Sequence, residues 1–596
     1  MVLNSSDWII IFAFFLLSLI IGILSSRKAG KNYAEFFLSG RNMPWWLLGI
    51  SMVATTFSCD TPNLVTDIVR QNGVAGNWAW WAFLLTGMLT VFIYAKLWRR
   101  SGINTDLEFY EIRYSGKMAA FLRGFRSIYL GFFFNILVMA SVSLALTKIG
   151  AVMLGWSATK TLIIAMSITA VYSTLGGLRG IILTDFFQFA ISIIGALGAA
   201  LILLNLPEIG SMRELISHPQ VHEKISLLPD FSNTESLLIL LILPLAVQWW
   251  SVWYPGAEPG GGGYIAQRML SARSEKGAMG ATFFFNAAHY ALRPWPWIIV
   301  ALASIVVFPD LESLRAAFPH TDPKLVQNDF AYPAMLSLLP NGFLGIVVAS
   351  LIAAFMSTIS THLNWGSSYL VNDFYKRFAR PEATEKELVF AGRISTVLLM
   401  IITVLVALLL QNALQAFNIL LQIGAGTGLI FILRWFWWRI NAYSEVTAMI
   451  VSFVVAIYFQ FVHQYTGLPE ISMAFRLVSG VVITTVAWLL ATYLTRPEDN
   501  KTLISFYKLV FPGGPGWKKV LKEAENKGIT IDESKKGWDV PRGILAMVLG
   551  CFAIYSALFA TGNWIYGEFL LAGLLSIIFV ISTYLLTKTW SKLKIR

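Results

Sequence analysis

The sequence predicts an all-α polytopic membrane protein, and three observations carry that prediction. Hydrophobic residues make up 56% and charged residues 13% of the 596 positions, where a soluble domain carries about 25% charged residues. Mean hydropathy is +0.65. The apolar residues gather into fifteen runs between polar connectors, and fifteen spans of about 20 residues need roughly 300 positions, which this composition supplies. Soluble, nucleic-acid-binding and disulfide-scaffold classes are excluded. Cys59 and Cys551 both lie in apolar runs. No GxxxxGK[ST] phosphate loop and no HExxH occurs, so the chain is not read as an ATP-driven pump, a protease or any other enzyme.

The first run, α1 (7–26), has no Lys or Arg before it, whereas Arg27, Lys28 and Lys31 follow. That is the reverse of a cleavable signal peptide, and it places the N-terminus outside. The next five are α2 (45–71), α3 (77–99), α4 (117–150), α5 (158–177) and α6 (180–205). A second five follow: α7 (236–256), α8 (277–308), α9 (341–375), α10 (387–411) and α11 (413–437). Four peripheral runs, α12 (440–463), α13 (472–496), α14 (541–561) and α15 (564–590), close the chain with its C-terminus inside. With this orientation 36 of the 45 Lys/Arg fall on the inner side, eight fall outside, and Arg293 lies within a span, as the positive-inside bias requires. The net charge of +12 is thereby topological. The division is a peripheral helix and inner loop at 1–44, a first group of five at 45–205, a second at 206–440 and peripheral helices at 441–596. The inner insertion at about 497–540 is expected to be a solvated connector with a charged helix at 518–527. The setting is a plasma membrane, expected to be a bacterial inner membrane, with lipid around the spans and neither a nucleic acid nor an obligate protein partner.

Two spans carry internal breakers. In α2 the run Ser58-Cys59-Asp60-Thr61-Pro62-Asn63 puts a carboxylate and a proline in mid-span, and α7 runs into Trp253-Tyr254-Pro255-Gly256-Ala257-Glu258-Pro259 and four glycines. Freed backbone groups at membrane depth are tolerated where a cavity or an ion satisfies them. Interrupted helices at corresponding places in two halves point to an inverted-repeat transporter site; the plainer reading of the second is a Gly-rich inner loop. In α9, residues 354, 357, 358 and 361 share a face, and Ser357, Ser360 and Thr361 add hydroxyls suited to a small hard cation, although small residues also serve helix packing. Asp185 near the start of α6 is costly in a membrane and a functional candidate. Arg179, six positions earlier, lies about 9 Å along the axis, so a cation or a proton is expected to satisfy Asp185 instead.

The run Phe36-Phe37-Leu38-Ser39-Gly40-Arg41-Asn42-Met43-Pro44-Trp45-Trp46 resembles the lead-in to the first core helix of the sodium/solute symporters, the group of the sodium–glucose, sodium–proline and sodium–sialic acid carriers. So do the GGLRG…TDFFQ run at 176–188, the run Tyr264-Ile265-Ala266-Gln267-Arg268, and the α9 stretch ending Asn372-Asp373-Phe374-Tyr375. The resemblance covers roughly residues 5 to 440 and implies a LeuT-like five-plus-five inverted-repeat core working by alternating access. It implies a shared sodium site from the carbonyls near Ala54, Phe57 and Ala354 with the hydroxyls of Ser357 and Thr358. It also implies a second sodium between Asp185, Ser357, Ser360 and Thr361, for one or two coupling ions.

Family members take solute contacts from the helices equivalent to α2, α3, α7, α8 and α11, but the 257–263 stretch departs from the sugar and proline carriers. The candidates are Asp60 and Thr61, Asn77 and Trp80, Gln248, Trp249 and Tyr254, Asn286, His289 and Arg293, and Gln422. Residues 286, 289, 290 and 293 share a face of α8; Arg293 there is expected to face the cavity and pair with Asp60 or hold an anionic solute, while His289 is also a candidate packing residue. The reading is sodium-coupled import of a small polar solute, most readily a sugar or sugar acid. The alternatives are a proton-coupled carrier of an amino acid or carboxylate, and an uncoupled channel-like uniporter or sensor.

Overall fold

The computed structural model describes residues 3–56, 58–251, 258–321, 323, 325–409, 426–529, 531 and 538–595. Among them there is no β-strand, and eleven helices are long and apolar enough to cross a membrane, with three shorter apolar helices beside them. The α1 helix spans Ser5–Ala29; Asn4 caps it by accepting from the Asp7 amide, and Asp7 in turn accepts from the Asn4, Gly342 and Gly345 amides. One buried carboxylate thus caps two helices, which explains an acid at the outer edge of an apolar run.

The interruption expected in α2 is present. Helix Trp45–Thr56 ends, and Thr61–Asn72 begins with Pro62 in its first turn, where the missing proline N–H costs nothing. Residues 158–203 form one hydrogen-bonded helical run, with the turn between α5 and α6 reduced to a kink at Gly177, φ 53°. A Cβ there would lie 2.8 Å from the Phe36 carbonyl, so only glycine provides both the left-handed backbone and the close approach. In the second group, α7 is helical over Thr234–Ala246 and turns at Gln248–Trp250. Chain then re-enters helix at Gly263–Ser271 after Gly260 and Gly261 at positive φ. The α8 helix runs Glu275–Val307 with one wide turn, Ala288–Leu292, ahead of Pro294; proline cannot donate into the regular ladder, and the widened turn absorbs the defect. The α9 helix spans Phe343–Ala379 and packs along α6.

Connectors assigned to one side meet one another. At the end expected to face outward Arg70 donates to the Ser304 and Phe308 carbonyls at 2.9 and 2.8 Å, and Lys148 pairs with Asp329 at 2.6 Å. At the opposite end Arg41 donates to the Gly102 carbonyl at 2.9 Å, Arg100 pairs with Glu275 at 2.8 Å and Arg123 with Asp373 at 2.7 Å.

The insertion corrects the sequence reading of it as solvated. Helix Asn500–Val510 buries Leu503, Phe506, Tyr507 and Val510, an i, i+3, i+4, i+7 face. Phe506 packs 5.7 Å from Phe109 and 6.0 Å from Trp435, and the Trp517 indole donates to the Trp435 carbonyl at 3.0 Å. Helix Lys518–Asn526 follows. Helix Asn500–Val510 and Trp517 therefore pack against Phe109 and Trp435, beside the ends of α3 and α11.

Candidate functional site

The break in α2 opens onto a cavity of about 510 Å³. Asp60, Thr61 and Asn63 line it from α2, Trp80 and Thr86 from α3, and Asn286 and His289 from α8. It runs from the Lys148–Asp329 pair at the outer end to Tyr264 and Glu258. Trp80 stacks on Tyr290 at 5.9 Å, giving the polar wall an aromatic floor.

Thr55, Thr56, Thr358 and His362 line the same cavity where α2 meets α9. The Thr358 hydroxyl donates to the Thr55 carbonyl at 2.8 Å, and the Thr55 hydroxyl lies 3.0 Å from that of Thr361. Ala54 and Ala354 are buried at this joint. A carbonyl at the end of the first half-helix therefore already faces an α9 hydroxyl, two oxygens of the kind a hard cation takes. Phe57 lies outside the described residues.

Behind the joint, Asp185 is fully buried. Ser357 donates to its Oδ1 at 2.7 Å and Ser51 to its Oδ2 at 2.5 Å. The basic group that stands near is not Arg179, weighed from the sequence, but Arg268: also fully buried, it donates to the Ser51 oxygen at 3.3 Å through both Nε and Nη2, and to Thr361 at 2.8 Å. Ser51 thus bridges the guanidinium and the carboxylate by hydrogen bonds. Ser360 turns away and donates to the Ser357 carbonyl at 3.1 Å. Of the second sodium set, Ser357 meets Asp185 directly, while Thr361 belongs to the arginine.

Among the solute candidates, Asp60, Thr61, Trp80, Asn286 and His289 converge on the cavity. Asn77 is an internal brace, donating to the Val74 carbonyl at 2.9 Å and accepting from the Trp80 indole at 2.8 Å. Gln248 donates to the Ala79 carbonyl at 2.8 Å, and Trp249 packs on Trp250 at 5.4 Å. Tyr254 and Gln422 lie outside the described residues. Arg293 also differs from expectation: its guanidinium meets the Val53 carbonyl at 2.8 Å, beside His289 Nδ1 at 3.3 Å and over the Trp297 ring at 5.0 Å, and not Asp60. It satisfies a carbonyl near the negative end of a half-helix, which explains a cation at that depth.

Sequence reasoning missed Arg268, Ser51, Asn63 and Glu258. Glu258 follows the α7 interruption and forms buried ion pairs with Arg126 of α4 and, at 3.0 Å, with Arg434 near the end of α11; Arg434 also pairs with Glu445 at 3.3 Å. Arg268 stood in the run 264–268 already singled out, yet its position after α7 had assigned it to an inner connector.

A family model described as the sodium:solute symporter family matches residues 36–452. The chain is 26% identical over 480 residues to the sodium/glucose cotransporter of Vibrio parahaemolyticus, across 76% of this chain and 85% of that protein. It is 26% identical over 481 residues to a sodium/mannose cotransporter of Bos taurus, across 75% and 78%. The solved structure of a Na+-coupled sialic acid symporter in a substrate-bound outward-open state matches with a TM-score of 0.67 at 20% identity, over 83% of this chain and 99% of that one, which shows a common fold.

Proposed function

The chain belongs to the sodium:solute symporter family, and from that premise we propose that it imports a sugar or sugar acid against its gradient, with sodium bound at the α2–α9 joint. It is a secondary transporter with Na+ as coupling ion, not an enzyme. The sugar class follows the sodium/glucose and sodium/mannose relatives and the cavity's mixture of aromatic and hydrogen-bonding walls.

One observation carries the coupling: Thr55 and Thr358 belong at once to the joint and to the cavity wall. Sodium ligated by the carbonyls near Ala54, Phe57 and Ala354 with the Ser357 and Thr358 hydroxyls ties α2 to α9. That tie fixes the half-helix that presents Asp60 and Thr61 to the solute. Each ligand then favours the arrangement the other needs, so their affinities rise together by one shared coupling energy. Solute binding without sodium leaves the joint loose, and sodium without solute leaves the cavity open.

Ser357→Ala and Thr358→Ala are each expected to raise the sodium concentration for half-maximal uptake by about tenfold, since a ligand to a charged group contributes about 1.5–3 kcal/mol. The check is sodium titration of uptake in proteoliposomes. Unchanged sodium dependence in both variants would remove these hydroxyls from the site.

A further inference from the structure

We propose that the solute is an uncharged polyol, bound through its hydroxyls by the buried amides of Asn63 and Asn286, and that Asp60 turns carboxylated relatives away. The inference rests on the sugar reading above and narrows it.

Asn63 is 2% exposed and lines the cavity, yet neither its amide nitrogen nor its oxygen has a hydrogen-bond partner among the described residues. Asn286, 1% exposed, donates to the Thr282 carbonyl at 2.8 Å and leaves its Oδ1 without a partner. Buried polar atoms are almost always paired, and these two cavity-lining amides leave three buried atoms without a partner among the described residues, atoms that a ligand hydroxyl reaching them would satisfy. An amide offers donors and an acceptor; a hydroxyl is both at once and matches either end.

Charge decides the class. The charged residues lining the cavity are Asp60, Asp67, Lys148, Glu258 and Asp329. Lys148 is engaged by Asp329, Glu258 by Arg126 and Arg434, and Asp67 accepts from Gln71 at 2.6 Å. Asp60 has no basic side chain within ion-pair distance among the described residues. The stretches 252–257 and 410–425 contain no Lys, Arg or His, so neither supplies a cation. A solute carboxylate beside Asp60 would meet a carboxylate that no described basic side chain pairs, and like-charge juxtaposition is an effective means of rejection. Hydroxyls can instead donate to Asp60, while the stacked Trp80 and Tyr290 offer an aromatic surface to a ring's C–H face.

The test is a thermal-shift titration of the full-length protein in lipid nanodiscs, in sodium chloride and in choline chloride. The probes are glucose and galactose with their uronates, glucuronate and galacturonate, each pair differing by one carboxylate. In sodium, a hexose is expected to raise the melting temperature and its uronate to have no effect. Asn63→Ala is expected to raise the half-maximal hexose concentration about tenfold or more, its sodium-only shift reporting that it folds. Asp60→Asn, of unchanged size, is expected to admit the uronate and provides an arm independent of Asn63. A uronate that outbinds its hexose in the unaltered protein, or an Asn63→Ala protein with unchanged hexose response, overturns the proposal and leaves sodium-coupled sugar uptake standing. A sodium-dependent shift from none of the four probes overturns the sugar reading itself.

Discussion

Replacing Glu258 with Ala is expected to cause the largest loss of stability of any single substitution in this chain, about 3–5 kcal/mol, the cost of stranding a buried charge. The carboxylate stands between Arg126 and Arg434 with all three side chains nearly inaccessible. Removing it strips Arg126 of its carboxylate and leaves Arg434 with Glu445, which it reaches at 3.3 Å and which also accepts from the Tyr114 hydroxyl. The four charges tie α4, the segment after the α7 interruption and the end of α11 to α12, at the Glu258 end of the cavity. Melting of the purified protein measures the loss. Because the partners are in contact, Glu258→Ala with Arg126→Ala should cost less than the two single losses added together, by about 1 kcal/mol or more. Strict additivity would show that the cluster is not an energetic unit.

Arg268→Ala is expected to be the next most damaging change, because it removes the positive charge that Ser51 bridges to Asp185 and four donor bonds from Ser51, Thr361 and Gln267. A loss of about 3 kcal/mol is the scale for an uncompensated buried carboxylate. Asp185→Asn in the same protein removes the stranded charge and should restore part of the melting temperature. Sodium offers a second rescue: with the guanidinium gone, Asp185, Ser357 and Thr361 are freed to hold an ion, so sodium should stabilise Arg268→Ala more steeply than the unaltered protein. A double variant no more stable than Arg268→Ala, with an unchanged sodium response, would show that the arginine does not compensate Asp185.

These two clusters mark the boundary of what the sequence makes legible. Helices announce themselves locally, by apolar length and by breakers such as Pro62, and the hydroxyl face of α9 follows from spacing within one helix. Buried ion partners do not. Glu258 and Arg434 are 176 positions apart, Arg268 and Ser51 217, and no periodicity links them. Charge-bias counting also assigns any arginine beside a connector to the aqueous side, which is why Arg293 looked like the lone intramembrane cation while Arg268 was overlooked. Arg293 itself was legible as buried but not in its role, because a freed carbonyl at Val53 competes with Asp60 as a partner and only the fold decides between them. The apolar face of Leu503, Phe506, Tyr507 and Val510, by contrast, was readable at helical spacing; the surrounding charge and Pro/Gly content masked it.

The most direct measurement of the central claim is concentrative uptake of a labelled uncharged hexose by the purified protein in proteoliposomes. It compares an inward sodium gradient with choline at the same pH, and with a proton gradient in the absence of sodium. Sodium coupling at the α2–α9 joint predicts accumulation above equilibrium with sodium alone, abolished by choline, not replaced by protons, and shifted to higher sodium by Thr358→Ala. Equal accumulation in choline, or accumulation driven by protons without sodium, would contradict it.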